Sequence, residues 1–174
     1  MDRRLLEYSP ILEIRDSAGD VAGAEEEEFM LAADLLDARD ERALDQVLHR
    51  TFAAKGILGA RVARSPMGPQ LISELKRAIR QLMPVQRSTI VIGTQPAALA
   101  LGLELEGLSP EDKEFAVARQ LVRFAGEAAR HAASCANARA AVRKAARSHA
   151  PGLLAQGQQG RWHRQGQCIV VLDC

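Results

Sequence analysis

Apolar side chains recur every three or four residues along most of this chain, with polar residues between them. That is the period of helices packed on a common core. In AEEEEFMLAADLLDA, residues 24–38, Phe29, Ala33 and Leu36 form such a stripe behind Glu25, Glu26, Glu27 and Glu28. Acids at a helix entrance are favoured by its positive end by ~0.3–1 kcal/mol each, so the pattern predicts a helix starting at these glutamates. Asp40 is a natural N-cap for a second helix, ERALDQVLHRTFAAK, in which Leu44, Val47, Leu48, Thr51 and Phe52 keep helical spacing until Gly56 ends it. The two elements make a helical hairpin.

A third helix opens at Pro66 or Pro69 and stops at Pro84. It carries Leu71, Ile72, Leu75, Ile79, Leu82 and Met83 on one side and Lys76, Arg77 and Arg80 on the other. Such a basic face suits an anionic membrane or nucleic acid, although a solvated surface is commoner. Ser88 to Ile92 is short and β-branched and reads as a strand ending at Gly93. Residues 94–107 support two readings. Leu99, Leu101, Leu103 and Leu105 alternate as in a strand, whereas Ala, Leu and Glu are helix formers, with Pro96 and Gly107 placed to start and stop a helix. Helix is the preferred reading.

The next helix is announced most clearly. Ser109 is a natural N-cap, Pro110 fits the first helical position, and Asp112 stands three residues after the cap. Val117, Leu121, Phe124, Ala125, Ala128 and Ala132 make its inward stripe, tapering from bulky to small. The Ala-rich half predicts close neighbours, namely the 29–55 hairpin and the following ANARAAVRKAARSHA. Pro151 ends the helical run, GLLAQGQQG reads as a flexible link, and RWHRQGQCIVVLD reads as a hairpin turning at Gln165–Gly166. An isolated two-stranded hairpin is marginal in water, so it is expected to lean on the helices, or to pair with Thr89 to Ile92 or with Ile11 to Ile14.

The pattern therefore predicts a mainly α protein, a small helical bundle with a short C-terminal β-hairpin and an extended N-terminal arm. Residues 1–24 would form the arm, 25–150 the helical domain and 151–174 the link and hairpin. Composition agrees: of 174 residues 47% are hydrophobic but only 3% aromatic, which demands an aliphatic, Ala-rich core. Charge adds a polarity. Residues 1–48 hold 14 Asp/Glu against 5 Lys/Arg, and the remainder holds 8 against 18. Between Ala128 and Arg164 the bases Arg130, Arg139, Arg143, Lys144, Arg147, Arg161 and Arg164 occur with no acid among them. The acidic segment from Asp16 to Asp45 is expected to shield this tract, within the fold or between subunits.

The blocks LAADLLDARDERALDQVL, ARSPMG, LELEGLSPEDKEFAVARQLVRFAGEAAR, AARSHAPGLL and GRWHRQGQCIVVL, in that order, resemble a group of uncharacterised bacterial proteins with an acidic start. The resemblance covers roughly residues 25–172. It implies a bacterial origin and a shared architecture, and supplies no catalytic residues. Members of the group carry a longer Gly/Ala-rich centre resembling a glycine zipper. Here Val85 to Leu99 lacks G-x-x-x-G.

Candidate chemistry is sparse. His131 and Cys135 stand four apart, the spacing of a shared helix face, but free cysteine is more often a buried apolar residue than a ligand. Cys168 and Cys174 would lie about 20 Å apart if extended, too far to close one site with His163 and His149. Asp34, Asp37, Glu41 and Asp45 offer carboxylates without the accompanying histidines of a di-iron helix pair. No phosphate loop, H-E-x-x-H or G-x-S-x-G is present. Trp162, flanked by Arg161 and Arg164, suits either a core anchor or a base-stacking site.

No catalytic, cofactor-binding or metal-binding residue is assigned, and no cofactor is expected. Three unpaired cysteines and an N-terminus interrupted by Glu7 and Glu13 imply a cytoplasmic protein, or one exported without a classical signal peptide. The leading expectation is a non-enzymatic helical interaction or assembly protein with a protein partner or a second copy of itself. The alternative is a nucleic-acid or anionic-membrane binder using the Arg-rich tract, followed by a small toxin or hydrolase. The candidate interaction residues are the basic tract, Trp162 and Glu25 to Glu28.

Overall fold

The computed structural model describes residues 11–82, 94–156, 162–165 and 168–171. Its helices are α1 (Ile11–Asp37), α2 (Glu41–Ala53), α3 (Gly56–Arg64), α4 (Met67–Leu82), α5 (Thr94–Leu101), α6 (Pro110–Ala132), α7 (Ala138–His149) and α8 (Pro151–Gln156). Two four-residue strands, β1 (Trp162–Gln165) and β2 (Cys168–Val171), run antiparallel with Trp162 opposite Val171. The protein is mainly helical.

α6 is the central element. It starts where the sequence announces it: the Ser109 hydroxyl accepts from the Asp112 amide at 3.1 Å and donates to the Asp112 carboxylate at 2.8 Å. Val117, Leu121, Phe124, Ala125, Ala128 and Ala132 are all buried, and so are Ala118, Val122, Gly126 and Ala129. Burial extends around much of the helix because α1, α2, α3, α4, α5 and α7 all pack against it. α7 brings a stripe of Ala138, Ala141, Ala145 and Ala146, and small side chains on both helices permit a close crossing. α2 is capped by Asp40, whose carboxylate accepts from the Ala43 amide at 2.7 Å. Its five predicted core residues, Leu44, Val47, Leu48, Thr51 and Phe52, are buried. Phe52 and Phe124 are wholly enclosed, and truncating either to alanine would cost ~3–5 kcal/mol.

Several expectations are corrected. Residues 11–24 are helical, where an extended arm was expected; residues 1–10 lie outside the described set. Gly19 and Gly23 cost only about 1 kcal/mol each in a helix, too little to break one anchored by packing further on. Glu25 to Glu28 consequently sit in mid-helix, away from the positive end that would have favoured them. The buried face of α1 is Leu31, Ala32 and Leu35, continued by Ala38 just past its end, whereas Phe29 is 54% exposed, its ring tilted against that of Phe115 with centroids 4.6 Å apart. Both stripes have helical spacing, and docking on α6 chooses between them.

α2 ends at Ala53, short of Gly56, and Gly56, with φ of 72°, opens α3, a helix that no stripe announced. Residues 94–101 are helical, the preferred reading, and no strand forms over 94–107. The helix stops at Leu101, Gly102 turns the chain with φ of 68°, and Leu103 and Leu105 are half-buried between exposed Glu104 and Glu106. Pro151 opens α8 instead of ending the helical run, because proline suits a first helical position and the break falls at Ala150. The strand expected at Ser88–Ile92 and the turn at Gln165–Gly166 lie outside the described residues or cross their boundary. No helix among the described residues is long and apolar enough to cross a membrane.

Candidate functional site

Three charged surfaces result from this packing. The first is an open cleft of about 540 Å³ between α2 and α4. Glu41, Asp45 and His49 follow one another at four-residue intervals along α2, and Ser73, Lys76, Arg77 and Arg80 face them from α4. The Lys76 ammonium lies 2.8 Å from Asp45 and 3.4 Å from Glu41, and Arg80 also pairs with Glu41. The basic face of α4 and half of the proposed carboxylate set thus neutralise each other. Asp34 Oδ2 pairs with Arg50 at 2.5 Å, and Asp37 is exposed. His49 and Ser73 line the cleft with no hydrogen bond between them among the described residues. No group of His, Cys, Asp and Glu among the described residues is arranged to hold a metal ion.

The second surface joins α1 to α6. Glu28, its side chain 11% exposed, accepts hydrogen bonds at 2.8 Å from Arg119 Nε and Arg123 Nε. Burial pushes its carboxyl up, but the hydrogen bonds and charges of Arg123 and Arg119 outweigh this and hold it below the usual glutamate range. The same hydrogen bond raises Arg123. Nearby, Glu127 takes Arg130 at 3.0 Å and His131 Nε2 at 3.1 Å. His149 at the end of α7 is half-buried, and burial lowers its imidazole, partly offset by the charge of Glu127. The helix stops at Ala132, so His131 and Cys135 do not share a helix face; Cys135 lies in the following turn, half-buried.

The third surface is the outer face of α7. Asn137 caps the helix by accepting from the Ala140 amide at 2.8 Å. Ala138, Ala141, Val142, Ala145 and Ala146 face inward, which leaves Arg139, Arg143, Lys144 and Arg147 exposed on the opposite side. Their spacing of four, one and three residues makes a single stripe about 12 Å long at the helical rise. None of the four forms an ion pair among the described residues.

The predicted interaction residues are therefore separated. Arg139, Arg143, Lys144 and Arg147 form one surface, Arg130 is paired with Glu127, and Arg161 lies outside the described residues. Trp162 and Arg164 belong to β1. Glu28 is in the arginine clamp, while Glu25, Glu26 and Glu27 are exposed on α1. Among the described residues, the acids of the N-terminal segment pair elsewhere than with the basic tract. Their partners are Arg119, Arg123, Arg50, Lys76 and Arg80, all outside the basic tract. The clamp joins residues more than ninety positions apart, and no local pattern announces it. No protein-family model, curated protein or solved structure matches this chain.

Proposed function

We propose that this protein is a non-enzymatic helical interaction or assembly protein whose docking surface is the outer face of α7. The observation that carries this is the stripe of Arg139, Arg143, Lys144 and Arg147, exposed and without an ion-pair partner among the described residues. Like charges four apart on a helix destabilise it by ~0.2–0.5 kcal/mol per pair, and Arg139, Arg143 and Arg147 make two such pairs. An acidic surface laid across α7 relieves that repulsion.

A protein partner suits this face better than the two other anionic surfaces. Its remaining exposed positions are Ala140 and Ser148, which offer no bulky apolar group to enter a bilayer and no aromatic ring to stack on a base. In this reading the C-terminal hairpin belongs to the same module, packed on the helical domain, and works as part of the scaffold.

The test is a photo-crosslinking amino acid at Ala140 or Ser148, irradiated in the expressing cells. Discrete protein adducts are expected, and they should disappear when Arg143, Lys144 and Arg147 are changed to glutamate. Adducts to nucleic acid, or none at all, would overturn the reading.

A further inference from the structure

The outward side of α1 is the natural complement of the α7 stripe. Gly23, Ala24, Glu25, Glu26 and Glu27 are five consecutive exposed residues, and at about 100° per residue five positions go all the way round a helix. A side chain placed on Gly23 would meet nothing within 4 Å. At this level α1 therefore stands clear of the body. Further along, its outward side keeps one composition. Glu26, Met30 and Asp37 fall at spacings of four and seven, hence on one face turned away from the buried Ala32 and Leu35, with exposed Glu27 at its edge. Glu26, Glu27 and Asp37 have no ion pair among the described residues, and Met30, 56% exposed, lies between them.

One chain thus carries two helix faces of opposite charge, each without an ion pair among the described residues. The α1 face holds three acids over a length of about 16 Å, and the α7 face holds four cations over about 12 Å at the helical rise. Each also has a non-charged position between its charges, Met30 on α1 and Ala140 on α7. The acids that do find cations among the described residues, Glu28, Asp34, Glu41, Asp45 and Glu127, leave both faces untouched.

We propose, building on the interaction reading above, that the occupant of the α7 stripe is a second copy of this chain, docking through Glu26, Glu27, Met30 and Asp37 of its α1. The two patches differ, so the contact is heterologous: each copy offers one face to the next, and association proceeds head to tail beyond a dimer. A contact of a few helical turns falls below the roughly 1,600 Å² of a standard stable interface, so the association is weak and reversible. Its attraction is between exposed charges, which salt screens beyond about 8 Å at physiological ionic strength.

Sedimentation of the full chain over a range of concentrations tests this. At low salt the weight-average mass should climb past that of a dimer as concentration rises, and should return to the monomer at high salt. Two variants should each remain monomeric at low salt: Glu26→Lys with Glu27→Lys and Asp37→Lys, and Arg143→Glu with Lys144→Glu and Arg147→Glu. Mixed together they should associate again, because each then meets a complementary face; a misfolded variant would give no such rescue. A wild-type chain that stays monomeric at low salt, or a mixture that does not associate, overturns the proposal. If α7 still crosslinks to a different protein, only self-association is refuted. The absence of any adduct would remove the interaction reading as well.

Discussion

Replacing Glu28 by glutamine takes one negative charge from between two guanidiniums while preserving the length and shape of the side chain. Hydrogen bonds to charged groups contribute ~1.5–3 kcal/mol where water is excluded, but exposed ion pairs contribute ~0–1 kcal/mol. The site lies between these limits. Glu28 is 11% exposed, while Arg119 and Arg123 are 35% and 45% exposed and are screened by solvent. Removing the carboxylate also leaves Arg119 and Arg123 as a like-charged pair four apart, costing a further ~0.2–0.5 kcal/mol. The expected loss at neutral pH is about 1–2 kcal/mol in all, a fall of roughly 2–8 °C in Tm for a chain of this size.

Urea unfolding, followed by helical circular dichroism at several pH values, is the assay. Clamping by two arginines lowers the folded-state pKa of Glu28 below the ordinary 4.5. The stabilisation is therefore full above pH 4.5 and is lost as pH falls through the lower folded-state value. The gap between wild type and Glu28→Gln should close in acid, because protonation does to the wild type what the substitution does to the variant. A gap below about 0.3 kcal/mol at neutral pH, or one that persists unchanged into acid, would refute the assignment of the clamp as the fastener between α1 and α6.

Other substitutions test the packing and the second titrating group. Ser109→Ala should cost ~0.5–2 kcal/mol in chemical unfolding through loss of the α6 cap. Gly59→Ala should cost ~1–3 kcal/mol, because the new methyl collides with the Phe52 backbone carbonyl. By contrast, Gly126→Ala should be neutral or stabilising by ~0.5–1 kcal/mol, since its methyl meets only the movable end of the Lys55 side chain and alanine suits a helix interior better. Thermal melts of the two glycine variants side by side check the contrast. Burial lowers the imidazole of His149, so its contribution is present above the ordinary pKa of 6.5 and lost as pH falls below it. Melts between pH 7.5 and 5.5 should show a decline that His149→Gln flattens.

Much of the architecture follows from the sequence alone. Asp40 and Ser109 announce α2 and α6 because a cap acts on amides two or three residues away, a purely local interaction. The inward stripes of α2 and α6 are legible for a related reason: a strong apolar stripe has one face that can enter a core. The cation stripe of α7 is also legible, since Arg139, Arg143, Lys144 and Arg147 lie within one short helix and share it with buried alanines.

Tertiary structure decided what local pattern left open. In α1 two adjacent stripes are almost equally apolar, and only docking on α6 selected Leu31, Ala32 and Leu35 over Phe29, Ala33 and Leu36. Residues 94–105 became helix and then irregular chain because the positive φ of Gly102 turns the backbone there, while Pro151 of α8 lies 3.3 Å from where a side chain at that glycine would sit. Charge pairing was the least legible of all. Total charge placed acid at one end and base at the other, but salt screens the attraction between exposed charges beyond about 8 Å, so proximity in the fold chose the partners. It gave Glu28 to Arg119 and Arg123 and Lys76 to Asp45, and left α7 without an acid of its own among the described residues.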